Sequence, residues 1–342
     1  MTPLYVVLDF DGTITENDTI DVLGKYAAAA AGKQPPRQGD STDTTTVSTP
    51  TATSSLLLRQ WESIVESYFS DHAQHVAGYT PTQSARSCLQ DELHFLESLR
   101  PVEVASADRV IESRLFGGLE SVDFEKFGRE AVTTTQPPVR LRAGFHAFVR
   151  KGFQKGWKMG LVSVNWSRSF VEGVLSAGGG EQEEDEKLCR RIVKRVNSIR
   201  YPDGWIEGPP ELGRTAPLVT AQDKLAALRE LLGSIISDEE EQQGESHGVV
   251  DQEEKIQSRL RRCVYLGDST TDLACLVEAS LGIVMADGDG VSSSKLLQTL
   301  KRLGFEVPHV SEFQEKQGLV WARNFYEVMQ SRIWEECHDG KE

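Results

Sequence analysis

Residues 4–8, Leu-Tyr-Val-Val-Leu, form an apolar run that stops abruptly at Asp9-Phe10-Asp11-Gly12-Thr13. The run is β-branched and aromatic, and no polar residue alternates with the apolar ones. That pattern predicts a strand buried on both faces, the kind found in the middle of a parallel sheet. Two carboxylates, Asp9 and Asp11, stand where this strand ends. Open α/β sheets bind their ligands at the carboxyl ends of strands. Gly12 lets the backbone come close to a ligand, and Thr13 adds a hydroxyl. A buried strand running into DFDGT therefore predicts a functional site rather than a solvated Asp-Gly turn.

Composition narrows the ligand. The chain has 342 residues, 39% of them hydrophobic, enough for one large or two ordinary domains. Its formal charge is 37 − 52 = −15. An acidic surface repels phosphate backbones and anionic lipid, so nucleic-acid and membrane partners are not expected. A small phosphorylated molecule held by a metal remains compatible. The five cysteines, Cys88, Cys189, Cys263, Cys275 and Cys337, are scattered with no CxxC pair, so neither a disulfide framework nor a zinc site is expected. The first strand begins almost at the first residue, leaving no room for a signal peptide, and no apolar run reaches membrane-spanning length. A soluble, cytoplasmic protein is the expectation.

The stretch YVVLDFDGTIT resembles the first motif of the haloacid dehalogenase superfamily, which consists mostly of phosphatases. The resemblance implies an α/β fold, a Rossmann-like parallel sheet core with an inserted helical cap domain, as in the phosphoserine phosphatase-like branch. It also requires a Ser or Thr ending a second strand, a later Lys, and an acidic Gly-Asp motif ending a further strand.

The chain meets each requirement in order. Residues 16–138 are mostly helical in pattern and fit the cap, leaving 1–15 and 139–342 for the core. Within the cap, eleven of the fifteen residues from Ser41 to Ser55 are Ser or Thr, so a disordered loop is expected over about 35–55. A helix and a turn at Gly156 then lead into a buried strand ending at Ser163, followed by Asn165, Trp166 and Ser167. A hydroxyl and backbone N–H groups at the start of the next helix suit a phosphate oxygen. The acidic run Glu181–Glu186 reads as a solvated loop, and Pro202-Asp203-Gly204 as the turn of a short hairpin. Asn197, just before it, is expected to be structural. Lys224 falls in the first turn of a helix starting near Thr220, where the helix dipole disfavours a cation. Such a lysine either faces a nearby anion or points outward from the surface; its place in the order of motifs, by the resemblance, assigns it to the site. Eight acids and no Lys or Arg lie between Asp238 and Glu254, so a second disordered insertion is expected there. Finally Val264-Tyr265-Leu266 runs into Gly267-Asp268-Ser269-Thr270-Thr271-Asp272 and a helix. Asp268 and Asp272 are spaced to face one cleft if the helix begins between them. The predicted core strands are 4–9, 159–164, 262–267 and 282–286, and the end of the chain reads as helical.

By resemblance, Asp9 is the nucleophile and Asp11 the general acid/base. Ser163, Asn165, Lys224 and the Gly12 backbone bind the phosphate. Mg2+ is held by Asp9, Asp11 through its backbone carbonyl, Asp268 and Asp272. The implied activity is magnesium-dependent hydrolysis of a small phosphomonoester through an aspartyl-phosphate. Two readings stay open beside it: a non-catalytic binder on the same fold, and a phosphotransferase or mutase. Asp18 stands where phosphoserine phosphatases carry a substrate-contacting Glu, and Gly12 replaces their Ser. Asp18 is therefore expected to select the substrate, and phosphoserine is not the expected one.

Overall fold

The computed structural model describes residues 3–31, 50–177, 182–213, 215–243, 252–290, 292–314 and 317–336. In chain order these form β1 (Tyr5–Leu8), α1 (Ile20–Ala31), α2 (Pro50–Gly78), α3 (Leu89–Ser98), α4 (Arg100–Ser113), α5 (Ser121–Thr133) and α6 (Phe145–Gln154). Then come β2 (Lys158–Ser163), α7 (Arg168–Ser176), α8 (Gln182–Arg191), β3 (Val193–Val196), β4 (Ser198–Ile199) and β5 (Ile206–Glu207). The rest is α9 (Ala221–Gln243), α10 (Gln252–Leu260), β6 (Cys263–Gly267), α11 (Leu273–Glu278), β7 (Leu281–Met285), α12 (Lys295–Arg302), β8 (Leu319–Ala322), α13 (Phe325–Gln330) and α14 (Ile333–Glu336).

Six strands make one parallel sheet in the order β3-β2-β1-β6-β7-β8. The chain moves outward from β1 to β2 and β3, then returns to place β6 on the other side of β1. The switch point of this doubly wound sheet therefore lies between β1 and β6, where such folds open a crevice at the strands' carboxyl ends. Alternation along β1 feeds both faces: Val6 and Leu8 enter one hydrophobic cluster, Tyr5 and Val7 the other. With helices on both faces, every residue of β1, β6 and β7 is buried, which explains their unbroken apolar sequence.

The four predicted strands stand within one residue of their expected positions. Two more were not predicted. Val193–Val196 (β3) lies just before the expected hairpin, and Leu319–Ala322 (β8) in the part of the chain whose pattern reads as helical. Both have four residues, too few for sequence periodicity to separate strand from helix. Pairing against β2 and β7 decides them.

Three stretches expected to lack structure are partly helical. Residues 50–55 open α2, with Pro50 at the first helical position, where its missing N–H is no loss. The acidic run 182–186 opens α8, its Glu183, Glu184 and Asp185 all in the first turn, where the dipole favours negative charge. Asp185 is buried there against Arg150. In the second acidic stretch, α9 continues to Gln243 and α10 begins at Gln252, pinned by the Arg229–Glu253 ion pair. Residues 35–49 and 244–251 lie outside the described residues.

Helices α1–α5 occupy the segment between β1 and α6. Its two connections run side by side: Glu16 N donates to the Arg140 carbonyl (2.9 Å), and Arg142 N to that of Ile14 (2.8 Å). From this segment, α5 crosses α7, which follows β2, at two glycines. A Cβ on Gly128 would lie 2.1 Å from the Phe170 carbonyl, and one on Gly173 2.0 Å from that of Glu125. Trp166, half-buried after β2, meets Trp61 of α2 and Phe116 edge-on. No described helix is long and apolar enough to cross a membrane.

Candidate active site

β1 delivers Asp9 to the carboxyl edge of the sheet, β6 delivers Asp268 beside it, and β2 delivers Ser163 on the other side. Lys224, on the first turn of α9, is fully buried (0% exposed). With no water to solvate it, its charge must be met by protein. Its Nζ donates to Asp9 Oδ1 at 2.7 Å and to Asp272 Oδ1 at 2.6 Å. This is the anion that one reading of its position against the helix dipole implied.

Asp272 is saturated by protein. Its Oδ1 also accepts from the Tyr265 hydroxyl (2.8 Å), and its Oδ2 accepts from Asp268 N (3.2 Å), Ser269 N (3.1 Å) and Ser269 Oγ (3.2 Å). Gly267 makes room for it, since a Cβ there would meet Asp272 Cγ at 2.5 Å. Asp9 and Asp268 are less committed. Among the described residues, Lys224 engages Asp9 at Oδ1, and Thr13 Oγ1 donates to Asp268 Oδ1 at 3.2 Å. Carboxylate oxygens of Asp9, Asp268 and Asp272 lie within 4.8 Å of one another.

Gly12 sits at φ +74°, and a Cβ on it would fall 2.1 Å from Asp268 Oδ2. Its role includes letting the β1 loop and Asp268 share one space, beyond the close approach to a ligand expected from sequence. Asp11 is held on both oxygens. Thr19 donates to Oδ1 from its N (2.8 Å) and Oγ1 (2.6 Å), and Asn165 Nδ2 donates to Oδ2 (2.8 Å). Asn165 in turn donates from its backbone to Ser163 Oγ (3.1 Å), so Ser163, Asn165 and Asp11 form one chain of contacts. Asp18 does not join the cluster by a hydrogen bond; it is exposed and accepts from Ile20 N (2.8 Å) at the start of α1. Asn197 is structural as expected, bridging the Val164 and Leu218 carbonyls.

Electrostatics follow from burial. Removal from water pushes Asp11 up to about 7, with the charge of Asp18 adding to the rise. Asp268 is pushed up to about 7 by burial and then by Asp272. Asp9 is likewise raised, by burial and Asp272, against the lowering pull of Lys224. Burial alone lowers a lysine, but Asp272 and Asp9 outweigh it and hold Lys224 above its usual value.

Three contributors were missed in the sequence. Thr19 adjoins Asp18 but carries no motif signal. Tyr265 reads as an apolar strand residue, yet its hydroxyl bonds Asp272. Ser269 lies within the Gly-Asp motif without its own signature.

No family model matches the chain. Cold tolerance protein 1 of Saccharomyces cerevisiae is 24% identical over 337 residues, covering 92% of this chain and 89% of that protein. The Bifunctional TH2 protein, mitochondrial, of Arabidopsis thaliana is also 24% identical, over 320 residues; the match covers 92% of this chain and 44% of that protein. Among solved structures, a phospho-aspartyl intermediate analogue of phosphoserine phosphatase is 13% identical with a TM-score of 0.41, covering 96% of this chain and 99% of its own. A cytosolic 5'-nucleotidase IIIB bound to cytidine is 13% identical with a TM-score of 0.48, covering 98% of this chain and 86% of its own. Asp9, Ser163 and Asp268 thus stand at the carboxyl ends of β1, β2 and β6 of a parallel α/β sheet, with Lys224 between two of the acids.

Proposed function

We propose that the protein is a phosphatase acting on small phosphomonoesters, with Asp9 as nucleophile. The observation that carries this reading is the buried Lys224 joining Asp9 to Asp272 beside Asp268, at the switch point of the sheet. The donor set fits Mg2+: all oxygen, rich in carboxylate, and gathered at one point. Asp9, Asp268 and the backbone carbonyl of Asp11 would hold the ion, while Asp272 orients Asp268 and Lys224. When bound, Mg2+ supplies positive charge that offsets repulsion between the ester's oxygens and an attacking carboxylate.

The chain's own residues account for the rest. A carboxylate oxygen of Asp9 attacks phosphorus, and the bond to the leaving oxygen breaks as Asp11 gives it a proton. Asp11, now ionised, takes a proton from a water that attacks the aspartyl-phosphate, which frees phosphate and restores Asp9. A carboxyl group held at about 7 suits both directions near neutral pH. Lys224, Ser163 and Asn165 bind the transferring oxygens and balance their charge. Residues 16–138 act as a cap, whose first helix starts beside Thr19 and so beside the acid/base.

The test is a panel of phosphate esters with Mg2+, scored by released phosphate. Asp9→Asn should keep the fold by circular dichroism and lose about 10³-fold or more in kcat. Near-normal turnover in that variant would end the covalent mechanism. Binding without phosphate release would favour a binder, and phosphate passed to an added alcohol would favour a phosphotransferase.

A further inference from the structure

Arg142 is 4% exposed and lies outside every motif described above. Its backbone forms one side of the paired connections between the sheet and the helical segment, Arg142 N donating to the Ile14 carbonyl. Its guanidinium runs beneath the loop that follows β1. Nη2 donates to the Gly12 carbonyl at 2.6 Å and Nε to the Thr13 carbonyl at 3.2 Å. Nη1 donates to Asp287 Oδ1 at 2.7 Å, beyond β7, and to the Arg323 carbonyl at 2.8 Å, beyond β8. One side chain thus ties the nucleophile loop to the ends of two other strands.

We propose that Arg142 is a positioning residue for the metal and phosphate site. The inference rests on the phosphatase reading above. Gly12 and Thr13 are the two residues whose conformation decides how the loop meets Asp268: Gly12 by its left-handed backbone, Thr13 by its hydroxyl on Asp268 Oδ1. Fixing both carbonyls fixes the peptide planes on either side of Thr13. It also fixes the end of the Asp11–Gly12 link, whose carbonyl belongs to the proposed ligand set. Only a planar fork with several donors can hold these acceptors at once; a lysine ammonium is a point donor and cannot span them.

The test uses full-length protein without substrate, with Mn2+ as the probe and free Mn2+ counted by electron paramagnetic resonance. Arg142→Lys should weaken Mn2+ binding about tenfold, the usual scale for losing a residue that orients a metal ligand. It should lower kcat on an aryl phosphate with KM little changed, at a temperature where circular dichroism shows the variant folded. A strut with no bearing on the site would leave Mn2+ affinity alone. Should Arg142→Lys fail to fold, Asp287→Ala carries the test. Asp287 is mostly exposed, so stability should hold, while loss of its grip on the guanidinium should weaken Mn2+ binding about threefold. Wild-type affinity in the folded variant overturns the inference alone. A wild-type protein that takes up no Mn2+ overturns the metal-dependent reading, and the inference with it.

Discussion

Two neighbouring aspartates at the end of β1 are set up for different work by what surrounds them. Asp9 shares Lys224 with Asp272, whereas Asp11 turns away toward Thr19 and Asn165. Thr19 directly precedes α1, so the hold on Asp11, the proposed acid/base, comes from the root of the helical segment. Asp18 sits one residue before Thr19, and its charge contributes to the raised proton affinity of Asp11. An exposed acid so near the reaction repels a second phosphate or carboxylate and attracts an amine or hydroxyl. Monophosphates with neutral or cationic leaving groups should therefore outperform diphosphates and phosphorylated proteins. Asp18→Ala should reorder preference within an ester panel more than it changes hydrolysis of a generic aryl phosphate. Equal losses on every substrate would assign Asp18 to the chemistry or to capping α1 instead.

Among the elements, the crossing of α5 and α7 is a close seam between the helical segment and a helix that flanks the sheet. Gly128 and Gly173 each face the other helix's backbone, so neither tolerates a side chain without separating the helices. Backbone cannot yield as a side-chain tip can. Gly173→Ala should cost about 3 kcal/mol by overpacking, read as a lower urea midpoint at unchanged m-value. Gly233, in α9, is the control: its nearest neighbours to an added Cβ are Ile256 atoms at 3.8 and 3.9 Å. There, Gly→Ala should stabilise by up to about 1 kcal/mol through helix propensity. Equal effects at both sites would show that the seam is looser than its geometry.

For the whole molecule, the gathering of buried acids sets a pH dependence. Burial raises Asp9, Asp11 and Asp268 above the ordinary carboxylate range, the last two to about 7. A carboxyl group raised in this way binds more protons folded than unfolded. Its contribution is complete below the unfolded pKa, about 4, and is lost as pH rises through the folded value. Metal-free protein should accordingly melt about 5 °C or more lower at pH 7.5 than at pH 5, other groups being equal. Mg2+ should restore stability, and by more at pH 7.5 than at pH 5, because it binds the ionised acids. A Mg2+ effect that is the same at both pH values would show that the carboxylates of Asp9 and Asp268 do not form the metal site.

The sequence by itself determined the central strand, the strand-end positions of Asp9, Ser163 and Asp268, and the helical character of the segment between β1 and β2. Those features are local: an unbroken apolar run, a turn string, and apolar residues at helical spacing. Lys224 was legible through its place in the order of motifs, with its unfavourable position in a helix's first turn as a secondary hint. Tertiary structure alone decided the rest. β3 and β8 are too short to announce themselves and become strands by pairing with β2 and β7. The acidic runs at 182–186 and 252–254 become helix starts because the dipole favours acids there, and Arg150 and Arg229, distant in sequence, pair with Asp185 and Glu253. Thr19, Tyr265 and Arg142 matter through contacts with Asp11, Asp272 and the Gly12 carbonyl. Arg142 is separated from Gly12 by the whole helical segment, and a residue's neighbours across such a gap are set by how the sheet closes, which no local pattern records.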